Sequence, residues 1–380
     1  MTYARARLWL GITGVGSLVT IATIGWACGW PQRLLSAATE FGVNELLQLV
    51  AVAGLFVLWL LPLDFLGGYL LPAKFQKSNQ AFRRWLRGYL RAALSQALLF
   101  VVFGSLIILA SQQFGTIGGV ASISLGIASC FLVRNRFLLR RQFKGSAESQ
   151  KLQDSIEMIQ DWKTFVPRTL IVEHEDVGFT GGIIGVGQGA QIIIPKAWLS
   201  FEREQLATAI ARRAVAINSG SYTRGLISAF LWNAGGFLLC SLTPGGELTT
   251  VAGLMTTVCA FTLWSFLGLL VLPSVSRNAS LKIDQQLVKR GIPPEFIQSA
   301  AFSMDHLQDG EPQRARMIET IFHPVPNVSS RNPIEPVRGP AAWNVARTTL
   351  FFSWACLGFL SRSVHCNVGR PELWTMLPTD

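Results

Sequence analysis

Apolar runs of membrane-spanning length recur along this chain, and they constrain its fold more than any motif does. A helix needs about 20 residues to cross the ~30 Å hydrocarbon core of a bilayer. Runs suited to this extend over Leu8 to Cys28, Leu46 to Leu71, Ala92 to Ala110, Thr116 to Val133, Gly225 to Leu242 and Leu248 to Leu272. A seventh, Val345 to Leu360, is weakened by Arg347 near its start. Every backbone polar group inside a bilayer must be satisfied within the protein, so such runs are read as helices. Of the 380 residues, 50% are hydrophobic and only 14% charged. The expected fold class is mainly α: a polytopic helical membrane protein with about six or seven transmembrane helices.

Arg5 and Arg7 precede the first run as in a secretory signal, but its length and the lack of a small-residue cleavage site predict a retained anchor. Orientation follows from the basic clusters beside the spans. Lys74, Lys77, Arg83, Arg84, Arg87 and Arg91 lie between the second and third runs, and Arg134, Arg136, Arg140, Arg141 and Lys144 follow the fourth. Both clusters belong on the cytoplasmic side, with the N-terminus, and the expected location is a bacterial inner membrane. The net charge of +11 is thus mainly a topology signal. It argues for anionic membrane lipid as a partner and against nucleic acid, because no aromatic stacking platforms interleave the basic residues. Cys28, Cys130, Cys240, Cys259 and Cys356 lie in or at the ends of apolar runs, Cys366 is alone in the tail, and no CxxC pair occurs. That pattern fits neither a disulfide framework nor a thiolate metal site.

Two polar segments interrupt the apolar pattern. The domain organisation read from this is an N-terminal membrane domain of four spans (1–144), a first cytoplasmic segment (145–224), a transmembrane hairpin (225–272) turning at Thr243 to Glu247, a second cytoplasmic segment (273–342), and a C-terminal span and tail (343–380). Because both polar segments face the same side, they are expected to form one domain that the hairpin interrupts. In the first, Ser149 to Asp161 has helical spacing, Thr169 to Glu173 is a β-branched run, and GFTGGIIGVGQGAQIIIP reads as a β-hairpin ending at Pro195. A helix is expected to start near Ser200, with no capping box, because Arg203 stands three positions on. In the second, helices are expected over Ser276 to Lys289 and Pro294 to Leu307, and the proline-rich stretch Pro324 to Pro340 as an irregular connection.

The order of these parts resembles the membrane-bound M48 zinc metallopeptidases, the family that includes the heat-shock protease HtpX and the CAAX prenyl protease. Phe179 to Leu199 is similar to the family's glycine-rich hairpin, and Glu202 to Ile217, EREQLATAIARRAVAI, to its zinc helix. SRNASLKID, Ser276 to Asp284, resembles the family's S-R-x-x-E-x-x-A-D, and Phe322, His323, Pro324 and Arg331 its late histidine-proline motif. The resemblance implies a zincin-like α+β domain and a zinc-bound water as the catalytic species.

The departures fall on the chemistry. Zinc hydrolysis from a helix needs imidazoles at i and i+4 on one face, with a glutamate beside the first. Here the first histidine position is Arg212, the glutamate Arg213, the second histidine Ala216 and the third ligand Ser280. No register shift restores them, since the four histidines are His174, His306, His323 and His365. No catalytic position is intact, and no zinc or other cofactor is expected.

The leading reading is therefore an inactive relative that keeps a binding architecture, for a peptide, a membrane-protein substrate or an active protease partner. Its candidate binding residues are Gly181, Gly182, the strand Ile192, Ile193 and Ile194, His323 and Asp284. Two alternatives stand beside it: a hydrolase using a non-zinc mechanism with Ser280 as nucleophile, and a structural or lipid-binding membrane protein sharing the fold. For Arg212 and Arg213 the plainer reading is a solvated or lipid-facing basic pair, and the sharper one a converted pocket for a carboxylate or phosphate. Asp284 reads as a helix-packing ion pair with Arg277, and His323 as a structural histidine near a turn. Asp64, inside an apolar run with Pro62 and Gly67 nearby, reads as part of a broken helix end rather than an ion path.

Overall fold

The computed structural model describes residues 2–78, 80–140, 146–173, 179–307, 318–319, 323–329, 331, 336–371 and 374. His174, Phe322, Arg141 and Lys144, invoked above, lie outside the described residues. The chain opens with α1 (Tyr3–Ala27), α2 (Trp30–Glu40) and α3 (Glu45–Phe65), which runs through a π turn (Leu66–Leu70) into α4 (Leu71–Lys74). Then come α5 (Phe82–Arg140), α6 (Ser146–Asp161), and the strands β1 (Thr169–Val172), β2 (Gly182–Ile184) and β3 (Gln191–Pro195). They are followed by α7 (Arg203–Asn218), α8 (Ser221–Ser241), α9 (Val251–Lys289), α10 (Pro294–Leu307), α11 (Val345–Phe352) and α12 (Leu360–Ser363). The protein is mainly helical with one small sheet, and two compact units divide it.

The first unit comprises 1–131, 230–268 and 349–375. Among the described residues, four helices are long and apolar enough to cross a membrane: α1, α3 with α4, α5 and α9. Their leucine, isoleucine and tryptophan side chains are widely exposed, as a bilayer solvent allows. The loop expected over Ser111 to Gly115 is a single residue. The helix continues to Phe114, reverses at Gly115 with φ +64°, and returns, so that Ser122 Oγ reaches Leu106 O. Only glycine enters that backbone region without steric cost, which lets two membrane-length arms share one turn. Helices α8 and α9 pack together within residues 225–272: the Trp264 indole donates to Trp232 O at 3.0 Å, and Phe237 meets Phe261 edge-on, though of the two only α9 is among the four.

The run Val345 to Leu360 is not a span. It gives the eight-residue α11, a 3-10 turn over Ser353–Cys356, and a left-handed residue at Leu357. Eight helical residues rise about 12 Å, well short of a hydrocarbon core. The chain after it folds into the first unit instead. Arg362, fully buried, donates to Asp64 through Nε (3.1 Å) and Nη2, to Gln96 Oε1 (2.6 Å) and to the Tyr89 hydroxyl (3.2 Å). Its guanidinium lies 4.0 Å from the Trp374 ring centroid. Asp64 also accepts the Gly369 N–H at 2.9 Å. Arg7 gathers the carbonyls of Gly67, His365 and Val368. Asp64 thus has the partner that burial requires, and the helix beyond it is not broken but widened into a π turn. That turn brings Gly68 so close to Gly369 that an added Cβ would sit 1.9 Å from its carbonyl oxygen.

The second unit comprises 132–229, 269–348 and 376–380. Its sheet has the order β1-β3-β2, with β1 parallel and β2 antiparallel to β3. The buried faces of α6, α7, α9 and α10 pack with Ile171, Ile192, Ile194 and Trp198 into one core. The helix expected from Ser276 is no separate element: α9 carries straight through Pro273 to Lys289.

Candidate functional site

The alanine-rich sequence of α7 favours helix throughout, and its small side chains let it sit buried from Leu206 to Ala216. The helix begins three residues later than expected. Glu202 is the N-cap, and Gln205 Oε1 accepts its backbone N–H at 3.3 Å, so a cap forms here and not at Ser200.

Arg212 and Arg213 are neither solvated nor lipid-facing: they are 3% and 0% exposed. Arg212 Nε donates to Asp284 Oδ1 at 2.8 Å, and Arg331 Nη1 donates to Asp284 Oδ2 at 3.0 Å. The carboxylate is held on both oxygens, which makes each bond charge-assisted. Its partners are these two arginines and not Arg277, because Asp284 faces α7. Burial, and then the nearby Arg212 charge, push the Arg331 pKa down to about 10, so Arg331 remains charged at neutral pH. The two arginines of α7 also lie over indoles, Arg213 at 4.5 Å from the Trp198 centroid and Arg212 at 5.6 Å from that of Trp343. Arg213 Nη2 donates to Thr180 O at 2.8 Å, at the entrance to β2.

Ala216 and Ser280 lie on the two helices that this pair joins. The Trp343 N–H bonds Ser221 O just beyond α7, while the Ala342 N–H bonds Val275 O on α9. The C-terminal end of α7 therefore lies near Val275 while Arg212 lies at Asp284, which makes the two helices antiparallel. Ala216, four residues after Arg212, and Ser280, four before Asp284, then fall on the facing surfaces. Both are buried. Arg212 and Asp284 are thus joined directly, Ala216 and Ser280 stand one helical turn away on the same two helices, and Arg213 is turned towards the sheet. Arg331 Nε also bonds Pro326 O at 3.2 Å, joining the cluster to the loop that starts at the half-buried His323. The Glu319 carboxylate accepts the Asn327 N–H at 2.8 Å and fixes that loop.

Gly181 adopts φ +73° and passes so close to β3 that an added Cβ would lie 2.1 Å from Ile193 O. Gly182 follows it as the first residue of β2. The strand Ile192 to Ile194 offers no edge: β3 is central, hydrogen-bonded to β1 on one side and β2 on the other, and these residues are fully buried. The edge of the hairpin is β2. The Ile192 N–H bonds Arg168 O on the β1 side. By alternation Ile193 and Gln191 bond β2 through Gly182 and Ile184, which leaves the backbone of Ile183 facing outward. The Tyr222 hydroxyl meets that edge, 3.3 Å from Ile183 O and 3.2 Å from Gly185 O. Sequence reasoning passed over Tyr222, Trp198 and Trp343, which carry no motif. Arg331 was noted only as part of a pattern.

No family model matches the sequence, and no curated protein matches it. Five solved chains match it in three dimensions. One, the crystal structure of S. mikatae Ste24p, superposes with a TM-score of 0.62 at 12% identity, covering 79% of this chain and 78% of that one. At that identity the likeness is one of fold. The chain shares the polytopic helical fold of Ste24p.

Proposed function

We propose that this chain is a membrane-embedded protein of protease-type fold that binds an extended peptide, a membrane-protein segment or an active protease partner without hydrolysing it. The observation that carries the reading is Asp284 clamped between Arg212 and Arg331. Zinc hydrolysis requires three unprotonated protein donors and an open water position. The positions at which the M48 resemblance implies ligands hold a guanidinium, a methyl and a hydroxyl, and the Asp284 carboxylate beside them already balances two cations. Two arginines would repel a divalent ion at any physiological pH. Among the described residues, no three histidine, cysteine, aspartate or glutamate side chains gather elsewhere. This donor set does not fit zinc.

The shared fold and the ordered series of matching segments support retention of a binding surface, of which the outer edge of β2 is the part that can take an extended chain. Ser280, the nucleophile of the hydrolase alternative, is buried, and the carboxylate one helical turn on, Asp284, is already held by two arginines rather than free to act as a base. Metal analysis of protein purified without chelator is expected to find zinc far below one per chain, and casein incubated with it to remain intact. Stoichiometric zinc, or cleavage abolished by a chelator, would return the chain to the hydrolases.

We place the N-terminus and the second unit on the cytoplasmic face, on the strength of Arg83, Arg84, Arg87 and Arg91 at one end of α5 and Arg134 and Arg136 near the other. Because α5 reverses at Gly115, both clusters emerge on one side. A reporter active only outside the cytoplasm is expected to stay silent when inserted after Arg136 and to be active when inserted at Gly115. The opposite pattern would invert the assignment.

A further inference from the structure

We propose that Tyr222, with Arg213, is a latch that closes the outer edge of β2 against an incoming strand, so that an extended peptide adds there only when the tyrosine leaves. The inference rests on the binding reading above and names how that binding is regulated.

A strand added to β2 would exchange backbone hydrogen bonds with Ile183, whose N–H and C=O point away from β3, and would continue past Gly185. The chain's own side chains already occupy the acceptors on this line. Tyr222 shares its single hydroxyl proton between Ile183 O and Gly185 O, while Arg213 holds Thr180 O just before the strand and so fixes its entrance. Burial pushes the Tyr222 pKa up to about 12, so the phenol is a donor at any pH the cell visits. The Arg134 guanidinium lies near the phenol and opposes part of that shift. All three residues of β2 are buried, so the edge is covered in this state.

Such a cover differs from a neighbouring strand in one physical respect. A strand that satisfies an edge must be peeled away along its whole length, whereas Tyr222 holds this edge through one hydroxyl, although its ring, packed in the core, must shift for the edge to open. Backbone carbonyls that must stay satisfied when buried, yet become available on demand, need a donor of this kind.

The test uses the full chain in detergent micelles and a fluorescein-labelled decapeptide of alternating valine and threonine, with lysines at its ends. A second peptide, N-methylated at alternate residues, lacks the ladder donors. Tyr222→Phe removes the hydroxyl and keeps the ring. By fluorescence anisotropy, Tyr222→Phe is expected to bind the unmethylated peptide about tenfold more tightly than the wild type, the factor that one net hydrogen bond supplies. The methylated peptide is expected to bind neither protein. Tyr222→Leu, which removes both the hydroxyl and the ring, should shift affinity in the same direction and serves if Tyr222→Phe fails to fold. Equal, methylation-sensitive binding by the wild type and both variants would overturn the latch while leaving the binding reading intact. Absence of binding by all of them would remove that reading, and the latch with it.

Discussion

Asp284→Ala is expected to destabilise the second unit by about 3–5 kcal/mol, the cost of removing one partner from a buried, hydrogen-bonded ion pair. The substitution deletes few atoms, so the loss is electrostatic. Arg212 and Arg331 would remain buried, at 3% exposure each, facing one another without the carboxylate that separates them. Burial and the Arg212 charge both disfavour the charged form of Arg331. Thermal unfolding in detergent, followed by size-exclusion recovery, should fall by on the order of 10 °C. Replacing all three residues together, Asp284→Leu with Arg212→Met and Arg331→Met, should recover most of that loss, because an apolar cluster of similar volume carries no desolvation cost. If the single and the triple variants are equally unstable, the cluster is held by shape and not by charge. If Asp284→Ala matches the wild type, the clamp contributes nothing.

Local patterns made the helices legible, and tertiary placement decided what they did not show. The apolar runs and the glycine-punctuated hairpin are one-dimensional signals with fixed periods, so α1, α3, α5, α8 and β2–β3 could be read directly. Continuity could not. Nothing within Leu248 to Lys289 reveals that Pro273 is accommodated inside one 39-residue helix, because a proline ends or bends a helix according to what packs around the freed carbonyl. The candidate site shows the same division. The motif series put Arg212 and Asp284 in related positions, and the structure joins those two directly. The environment of the arginines was invisible, since ARRAV has the same letters whether its guanidiniums meet water or an aspartate 72 positions away. Sheet order was equally hidden: a parallel strand from Thr169 to Val172 converts Ile192 to Ile194 from an edge into a centre.

The two units meet the cost of buried charge in the same way, with an arginine brought to an aspartate from far along the chain, and the membrane unit offers the more severe test. Asp64 and Arg362 are 298 positions apart and at most 1% exposed. An ionised side chain in such a place is tolerated only when paired and hydrogen-bonded. Arg362→Ala leaves the Asp64 carboxylate with the Gly369 N–H alone. Asp64→Ala leaves Arg362 with two neutral acceptors, Gln96 and Tyr89, and the Trp374 ring. The carboxylate variant should therefore be the milder, because a guanidinium with two acceptors and an aromatic face is better compensated than a carboxylate with one donor. Both losses are expected to reach about 3–5 kcal/mol or more, read as reduced yield of monodisperse protein and a lowered melting temperature. The pair also ties the segment after Leu357 to α3. Arg362→Ala should consequently make that segment accessible to limited proteolysis before the rest of the unit unfolds, even though Arg7 still holds the carbonyls of His365 and Val368. Asp64→Leu combined with Arg362→Met should restore both stability and protection. Protease resistance equal to the wild type in Arg362→Ala would show that Arg7 and the close Gly68–Gly369 contact hold the segment without the ion pair.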